Sequence, residues 1–122
     1  MDLGLSEIQK MLQQSSREFL EENCSMQFIR AMESDPIGVT EELWKNFAEL
    51  GWLGLMIPEQ YGGSGFEYQD MSILLEEMGR VGLAGPFFST SIIAVQTILS
   101  SGNEIQKSQL LPKIASGDLK FS

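Results

Sequence analysis

The chain has 122 residues, a hydrophobic fraction of 43% and a formal net charge of -9, which fit one globular domain. The negative charge disfavours nucleic acid as a partner, because phosphate binding needs clustered lysines and arginines, and the absence of histidine excludes histidine-dependent triads and histidine-bearing metal sites. Cys24 is the one cysteine and no apolar run approaches the ~18 residues of a membrane span, so we expect a cytoplasmic protein without a disulfide, a thiolate zinc site or a membrane span.

The first predicted element is a helix from Ser6 to about Asn23. Ser6 is a favourable N-cap, and Gln9 completes a capping box with it. The apolar residues that recur there at helical spacing are Ile8, Met11, Leu12, Phe19 and Leu20. The next stretch, SMQFIRAM, either continues this helix or forms a short second one, and Pro36 then breaks the helical pattern.

The next predicted helix begins after Thr40, a good N-cap, and ends at Gly51. Two glutamates follow Thr40 and favour the positive end of the helix dipole. The apolar residues at helical intervals are Leu43, Trp44, Phe47 and Leu50. Gly51 is expected to be the C′ stop, with Trp52 supplying the apolar contact that accompanies such a stop.

A glycine-rich connector, Gly54–Gly65 (GLMIPEQYGGSG), follows. Its glycines allow positive φ angles and close backbone approach, so we expect the chain to fold back here between two packed helices. The apolar residues expected to fill the space between those helices are Leu53, Leu55, Met56 and Ile57. The alternative interpretation is that Gly62 and Gly63 cradle a phosphate, which the acidic surroundings disfavour.

A further helix is predicted from an apolar stripe that comprises Tyr68, Met71, Leu74, Leu75 and Met78. Glu77 and Arg80 fall away from this stripe and are predicted to form an exposed i,i+3 ion pair. The stretch GRVGLAGP ends the helix, and Pro86 suits the first turn of the next one. That next segment, FFSTSIIAVQTILSSG, has little charge, so we expect it to be buried on several sides.

Asn103 can cap a last helix that ends at Gly117. The residues predicted to face inward are Ile105, Leu110, Leu111 and Ile114. Pro112 is expected to kink or split this helix. The tail LKFS begins an alternating pattern, and a lone strand has no partner for its backbone groups. The expected fold is therefore all-α, a five- to six-helix bundle, and the apolar helix and the tail suggest the first part of a larger protein.

Three stretches resemble the acyl-CoA dehydrogenase family in order and spacing. LWKNFAELGWLGLMIPEQYGGSG is similar to the family's second helix and following loop, and ILLEEMGRVG resembles its next helix. GNEIQKSQLLPKIASGDLKFS is similar to the closing helix of its N-terminal domain. The resemblance implies an N-terminal helical domain over 1–117 and the start of a missing β-domain at 118–122.

The resemblance also implies an oxidoreductase that uses FAD and removes hydrogen from the α and β carbons of an acyl-CoA thioester. The family's catalytic glutamate and its flavin-contacting motifs lie outside this sequence, so no catalytic, cofactor-binding or metal residue is assigned here. Glu76 and Glu77 are explained by ordinary ion pairing, and FAD is not expected on this stretch alone. The resemblance places Gly85, Phe88, Ser89 and Ile92 toward the acyl pocket. The alternative is that Phe87, Phe88 and Ile92 are simply core.

Other functions stay open at this stage. A same-fold acyl-CoA oxidase or flavin monooxygenase would share these stretches, and a non-enzymatic helical interaction module would use the apolar faces to bind a partner. The run GPFFSTS resembles family branches found in bacterial degradation of bulky or ring-bearing acyl-CoA esters, some of which work as two unlike subunits. The surface that faces the missing domains should be apolar and favour self-association, so we expect a homo- or hetero-oligomer.

Overall fold

The computed structural model describes residues 4–83 and 85–121, and within these ranges the protein is all helical. The α-helices are α1 (Glu7–Asn23), α2 (Met26–Glu33), α3 (Glu41–Glu49), α4 (Tyr68–Val81), α5 (Val95–Ser101) and α6 (Glu104–Ala115). A 3₁₀ turn, Glu59–Tyr61, lies in the connector, and a π-helical segment, Phe88–Ala94, leads directly into α5. The predicted all-α, five- to six-helix class is confirmed. No helix among the described residues has the length and apolarity to cross a bilayer.

The helix starts follow the capping residues predicted from the sequence. Ser6 accepts a hydrogen bond from the backbone N–H of Gln9, whose side chain accepts one from the backbone of Ser6 in return. The side-chain oxygens of Thr40 and Asn103 also accept from the backbone N–H three residues later and so cap α3 and α6, and Asn103 forms the reciprocal capping box as well. SMQFIRAM forms a helix of its own because the hydroxyl of Ser25 accepts from a backbone N–H in its first turn.

Glycine stops end α3 and α6 where the sequence indicates. Gly51 has φ 83°, its N–H donates to the carbonyl of Ala48, and the N–H of Trp52 donates to the carbonyl of Phe47. The ring of Trp52 stacks on that of Phe47 at a centroid distance of 5.1 Å, which is the apolar contact that accompanies this type of stop. Gly117 ends α6 with φ 85°.

Two apolar clusters hold the helices together. The larger cluster joins α1, α3, α4 and the connector around Leu20, Trp44, Phe47, Leu53, Leu55, Met71 and Leu74. The smaller one joins the connector to α5 and α6 and comprises Ile57, Tyr61, Val95, Leu111 and Ile114. The prediction that the connector's apolar start fills the space between helices is confirmed, with Leu53 and Ile57 fully buried.

Some apolar residues lie outside these clusters. Ile105 was predicted to face inward, but 68% of it is exposed, because the first turn of α6 contacts the connector through a hydrogen bond from Tyr61 to Glu104 instead. Ile8 and Met11 of α1 are likewise exposed. The apolar stripes predicted from helical spacing therefore include residues that no other part of the described chain covers.

Glu77 corrects a prediction made from α4 alone. It is not part of an exposed pair, since only 2% of its side chain is accessible. Its two oxygens accept from Nε and Nη2 of Arg17 on α1, each at 3.0 Å, and Nε of Arg80 lies 3.3 Å from Oε1. The predicted ion pair between Glu77 and Arg80 is confirmed, but the prediction that Glu77 is exposed is wrong. The reason is that α1 packs over this face of α4 and provides the second guanidinium that a buried carboxylate needs.

Pro112 neither splits nor ends α6, so the prediction of a kink or a split is wrong as far as the split is concerned. The helix runs from Glu104 to Ala115 through the proline. Pro112 removes the N–H that would bond to the carbonyl of Ser108, and both residues are exposed. Water can therefore satisfy the carbonyl that the proline leaves without a partner.

Candidate functional site

The connector uses its own backbone amides to hold its shape. The N–H groups of Gly62 and Gly63 donate to the carbonyls of Glu59 and Pro58 at 3.0 and 3.2 Å, and that of Gly65 donates to Ile57 at 2.9 Å. A phosphate cradle needs amides that point outward without a partner. The geometry thus disfavours the phosphate interpretation of the two adjacent glycines, and the connector acts as a packed support.

A phenol hydrogen bond ties the connector to α6. The hydroxyl of Tyr61 donates to Oε1 of Glu104 at 2.6 Å, and the ring is almost fully buried. The hydrogen bond to Glu104, aided by burial, raises the pKa of Tyr61 above its ordinary value. The contact holds the connector against the helices that follow the candidate site.

The π-helical segment Phe88–Ala94 is buried on one side and open on the other. Thr90, Ser91 and Ile92 are buried, whereas Phe88 and Ile93 are 48% and 52% exposed. The expectation of burial on several sides therefore holds for only part of its circumference. π-helical turns are rare and often occur at functional sites, which makes this segment the first candidate.

Two partly open cavities meet at Gly85, at the start of this segment. The larger has a volume of about 530 Å³ and is lined by Pro36, Ile37, Gly85, Pro86, Ser89, Lys120 and Phe121. The smaller has a volume of about 290 Å³ and is lined by Leu75, Met78, Gly79, Leu83, Gly85, Phe87 and Phe88. Most of the lining is apolar, with Lys120 as the charged group of the larger cavity.

The four residues predicted to form an acyl pocket do not share one cavity. Gly85 borders both cavities, Ser89 lies in the larger and Phe88 in the smaller. Ile92 lines neither and packs in the core, with 6% of it exposed. The spacing i, i+3, i+4, i+7 gives one face only in an α-helix, and the wider π-helical turn spreads these positions. Their role in a pocket stays a prediction.

A turn before α3 packs against Gly85. Gly85 has φ 111°, and a methyl group there would lie 2.9 Å from Cγ1 of Val39. Oδ1 of Asp35 accepts from the N–H groups of Ile37 and Gly38 at 2.8 and 2.9 Å and so holds this turn. The hydrogen bonds from Gly38 and Ile37 lower the pKa of Asp35 below its ordinary value.

The tail contacts the same segment through hydroxyl groups. Oγ of Ser89 and Oγ1 of Thr90 both donate to the carbonyl oxygen of Phe121, at 2.7 and 2.8 Å. The N–H of Phe121 donates to Oγ1 of Thr90 at 2.8 Å. The prediction that the backbone of the tail has no partner is therefore wrong for Phe121. The signal that could have found this contact is the pair of adjacent hydroxyl residues in an otherwise apolar segment.

The arrangement of the ionisable groups can be described for residues 4–83 and 85–121. They include no cluster of three or more Cys, Asp or Glu side chains that could hold a metal ion. Glu77 pairs with two arginines, and Glu76 lies exposed on the same helix. Cys24 is buried, and its burial raises the pKa of the thiol. Lys120 pairs with Glu41 at 2.8 Å and lies 5.8 Å from the ring centroid of Trp44.

Comparison with known proteins places almost the whole chain in one family. Residues 6–118 match the family described as acyl-CoA dehydrogenase, N-terminal domain. The mitochondrial isovaleryl-CoA dehydrogenase of Bos taurus is 38% identical over 117 residues, which are 94% of this chain and 28% of that enzyme. The chain thus spans about a third or less of the length of curated relatives that it matches.

Solved structures give the same result. In the ChsE4-ChsE5 complex from Mycobacterium tuberculosis, one chain is similar with a TM-score of 0.79 and 30% identity, over 98% of this chain and 30% of that one. The acyl-CoA dehydrogenase complexed with FAD from Bacillus anthracis has a TM-score of 0.79 and 28% identity, over 95% of this chain and 20% of that one. The helical arrangement described above is therefore shared with much longer proteins.

Proposed function

Because the chain belongs to the acyl-CoA dehydrogenase family, we propose that it is the N-terminal domain of an FAD-dependent enzyme that dehydrogenates an acyl-CoA thioester between its α and β carbons. In this proposal residues 1–117 form the helical domain and residues 118–122 lead into a β-domain. We expect the domain to be inactive alone, because no aspartate or glutamate is among the residues that line either cavity in the described part of the chain. Bound FAD supplies the hydride acceptor.

The described residues do not fit a flavin site by themselves. The glycine amides of the connector are committed to internal carbonyls, and the chain carries a net charge of -9, which opposes an anionic diphosphate. We therefore assign FAD to other parts of the whole enzyme. The FAD complex of the Bacillus anthracis relative supports the choice of FAD as the cofactor, but it does not support a flavin site on the described residues.

The observation that carries the proposal is the open apolar side of the π-helical segment beside two cavities. Phe88 is half exposed at the edge of the smaller cavity, and Gly85 borders both cavities. An acyl chain needs an apolar wall of this kind, with few polar groups. The ring of Phe88 then limits the length or bulk of the acyl group that fits.

The direct test is Phe88→Ala in the complete enzyme, assayed with acyl-CoA esters that range from short and branched to long and ring-bearing. We expect the ratio of kcat/KM for bulky over short substrates to rise about tenfold, because these substrates differ by a few methylene groups in their contacts with an apolar pocket. Ile93→Ala is the matched control, because Ile93 is equally exposed but lines neither cavity. An unchanged ratio in the Phe88 variant would remove this residue from the pocket.

The same assay separates the dehydrogenase from its alternatives. Reduction of an artificial electron acceptor with little hydrogen peroxide formed supports a dehydrogenase, whereas stoichiometric peroxide indicates an acyl-CoA oxidase. Lack of turnover of every ester by the flavin-loaded enzyme would contradict the proposal and favour an interaction module.

We further propose that the enzyme is a homo- or hetero-oligomer, as the two-component ChsE4-ChsE5 relative suggests. Sedimentation of the complete enzyme tests this.

A further inference from the structure

We propose that Thr90 and Ser89 form a hydroxyl clamp that holds Phe121 in place as a wall of the larger cavity, so that Thr90 is a positioning residue for the acyl substrate. The hydroxyl clamp consists of the side chains of Thr90 and Ser89 and the backbone of Phe121. The inference about the substrate rests on the proposed function. The inference about the clamp itself does not.

Thr90 satisfies both backbone polar groups of one residue. Its hydroxyl accepts from the N–H of Phe121 and donates to the carbonyl of the same residue, each at 2.8 Å. A neighbouring strand would satisfy these two groups in the same manner. Thr90 is fully buried, so water cannot replace its hydroxyl without local opening. Ser89 adds a second donor to the carbonyl at 2.7 Å.

The larger cavity depends on this contact because its walls come from three separate stretches. One wall is the turn with Pro36 and Ile37, the second is the beginning of the π-helical segment, and the third is formed by Lys120 and Phe121. The turn is held by Asp35 within its own stretch. The third wall lies at the end of the described chain.

The other tethers of that third wall are side-chain contacts: Lys120 lies over the ring of Trp44, and Phe121 packs against the smaller apolar cluster. Lys120 reaches Glu41 at 2.8 Å, but 74% of the glutamate side chain is exposed, and such pairs stabilise little in water. The remaining backbone bonds of the tail hold Asp118 and Leu119 to Lys113, before the cavity is reached. Loss of the clamp would therefore remove the hydrogen bonds of the Phe121 backbone, and within the described part of the chain the third wall would be held by side-chain contacts.

The clamp is tested first by hydrogen–deuterium exchange of the Phe121 amide in the complete enzyme. The wild-type amide is expected to be protected, and Thr90→Val to increase its exchange rate by tenfold or more. Thr90→Ser keeps the hydroxyl and should retain protection. The matched control is Thr97→Val, the same substitution in α5, where the hydroxyl bonds to Ile93 of its own helical turn.

Three results would overturn the clamp. The first is exchange of the wild-type Phe121 amide at the rate of an unstructured peptide, which can be measured even if Thr90→Val fails to fold. The second is an equal exchange rate of this amide in wild type and in Thr90→Val. An equal increase in Thr97→Val would show a general loosening of the segment instead of a specific contact.

Steady-state kinetics then test the positioning role. Thr90→Val is expected to raise KM for the preferred acyl-CoA about three- to tenfold with a smaller change in kcat, and Thr90→Ser to restore it. An increased exchange rate with unchanged KM would support the clamp but overturn its role in the pocket. Absence of wild-type activity would instead contradict the proposed function and leave the exchange result as the test of the clamp.

Discussion

The connector Gly54–Gly65 and the π-helical segment Phe88–Ala94 are both irregular stretches of backbone, but they are held by different means. The connector bonds to itself: the N–H of Ser64 donates to the carbonyl of Gly54, and that of Gly65 to Ile57. The π-helical segment instead receives support from the tail and from the turn that packs on Gly85. Local support can be read from neighbouring residues in the sequence, whereas distant support cannot.

The largest effect expected from this comparison is at Gly63. A methyl group there would overlap the carbonyl oxygen of Ile57 and lie 2.6 Å from that of Gly54. Both atoms belong to the backbone that holds the connector, so neither can move cheaply. We expect Gly63→Ala to lower the free energy of unfolding by about 4 kcal/mol or more, or to prevent folding, as measured by urea denaturation.

Gly79→Ala is the matched control for that change. No atom lies within 4 Å of the position of its added methyl group, and Gly79 is in the interior of α4 with ordinary helical geometry. The substitution should stabilise the protein by about 0.5–1 kcal/mol, because alanine favours helix more than glycine does. Similar losses for both variants would show that the connector has no special requirement for glycine.

A smaller change in the free energy of unfolding is expected for a substitution of Ser91. It tests whether every polar side chain of the π-helical segment makes a stabilising hydrogen bond. Oγ of Ser91 is buried without a hydrogen-bond partner among the described residues. Ser91→Ala should leave the free energy of unfolding unchanged or raise it by up to about 1 kcal/mol, since an unpaired buried hydroxyl is costly. Thermal and urea unfolding measure the change.

Ser16→Ala provides the comparison for Ser91. Ser16 is also fully buried, but its hydroxyl donates to the carbonyl of Gln13 at 3.1 Å. This variant should lose about 1 kcal/mol. A loss at Ser91 as large as that at Ser16 would mean that the Ser91 hydroxyl has a partner and belongs to the support.

The smallest change in stability is expected from protonation of Asp35, whose side chain holds the turn that packs against Gly85. The pKa of Asp35 is lowered by hydrogen bonds from Gly38 and Ile37, so the folded state binds this proton less well than the unfolded chain. Its stabilising contribution is complete above the ordinary aspartate pKa of about 3.9 and is lost as the pH falls through the lower folded value. NMR titration should show the amide signals of Ile37 and Gly38 moving together, below the pH of a free aspartate. A titration at or above the ordinary pKa would contradict the geometry of this turn.

The elements that the sequence predicts well are those whose cause is local. Ser6, Thr40 and Asn103 cap their helices through backbone groups three residues away. Gly51 and Gly117 end α3 and α6 for an equally local reason, a positive φ angle. Helix periodicity identified part of the two apolar clusters, such as Leu20, Phe47, Leu74 and Ile114, but it also included exposed residues such as Met11 and Ile105.

The features that the sequence did not predict depend on residues far apart in the chain. Glu77 is buried because Arg17, sixty positions earlier, lies over it. The partner of Phe121 is Thr90, thirty-one positions earlier. The exposed fraction of Phe88 depends on which helices cover it, and periodicity within one helix does not determine this. The candidate site combines such contacts, so the sequence indicated its segment but not its arrangement.

The central claim is that Phe88 and Gly85, at the start of the π-helical segment, face the acyl group in the complete enzyme. A crystal structure of the flavin-loaded enzyme with a non-reactive acyl-CoA analogue tests it most directly. We expect the acyl chain within about 4 Å of Phe88 and beside Gly85, the distance of van der Waals contact. An acyl chain bound elsewhere, with Phe88 covered by another domain or subunit, would contradict the claim.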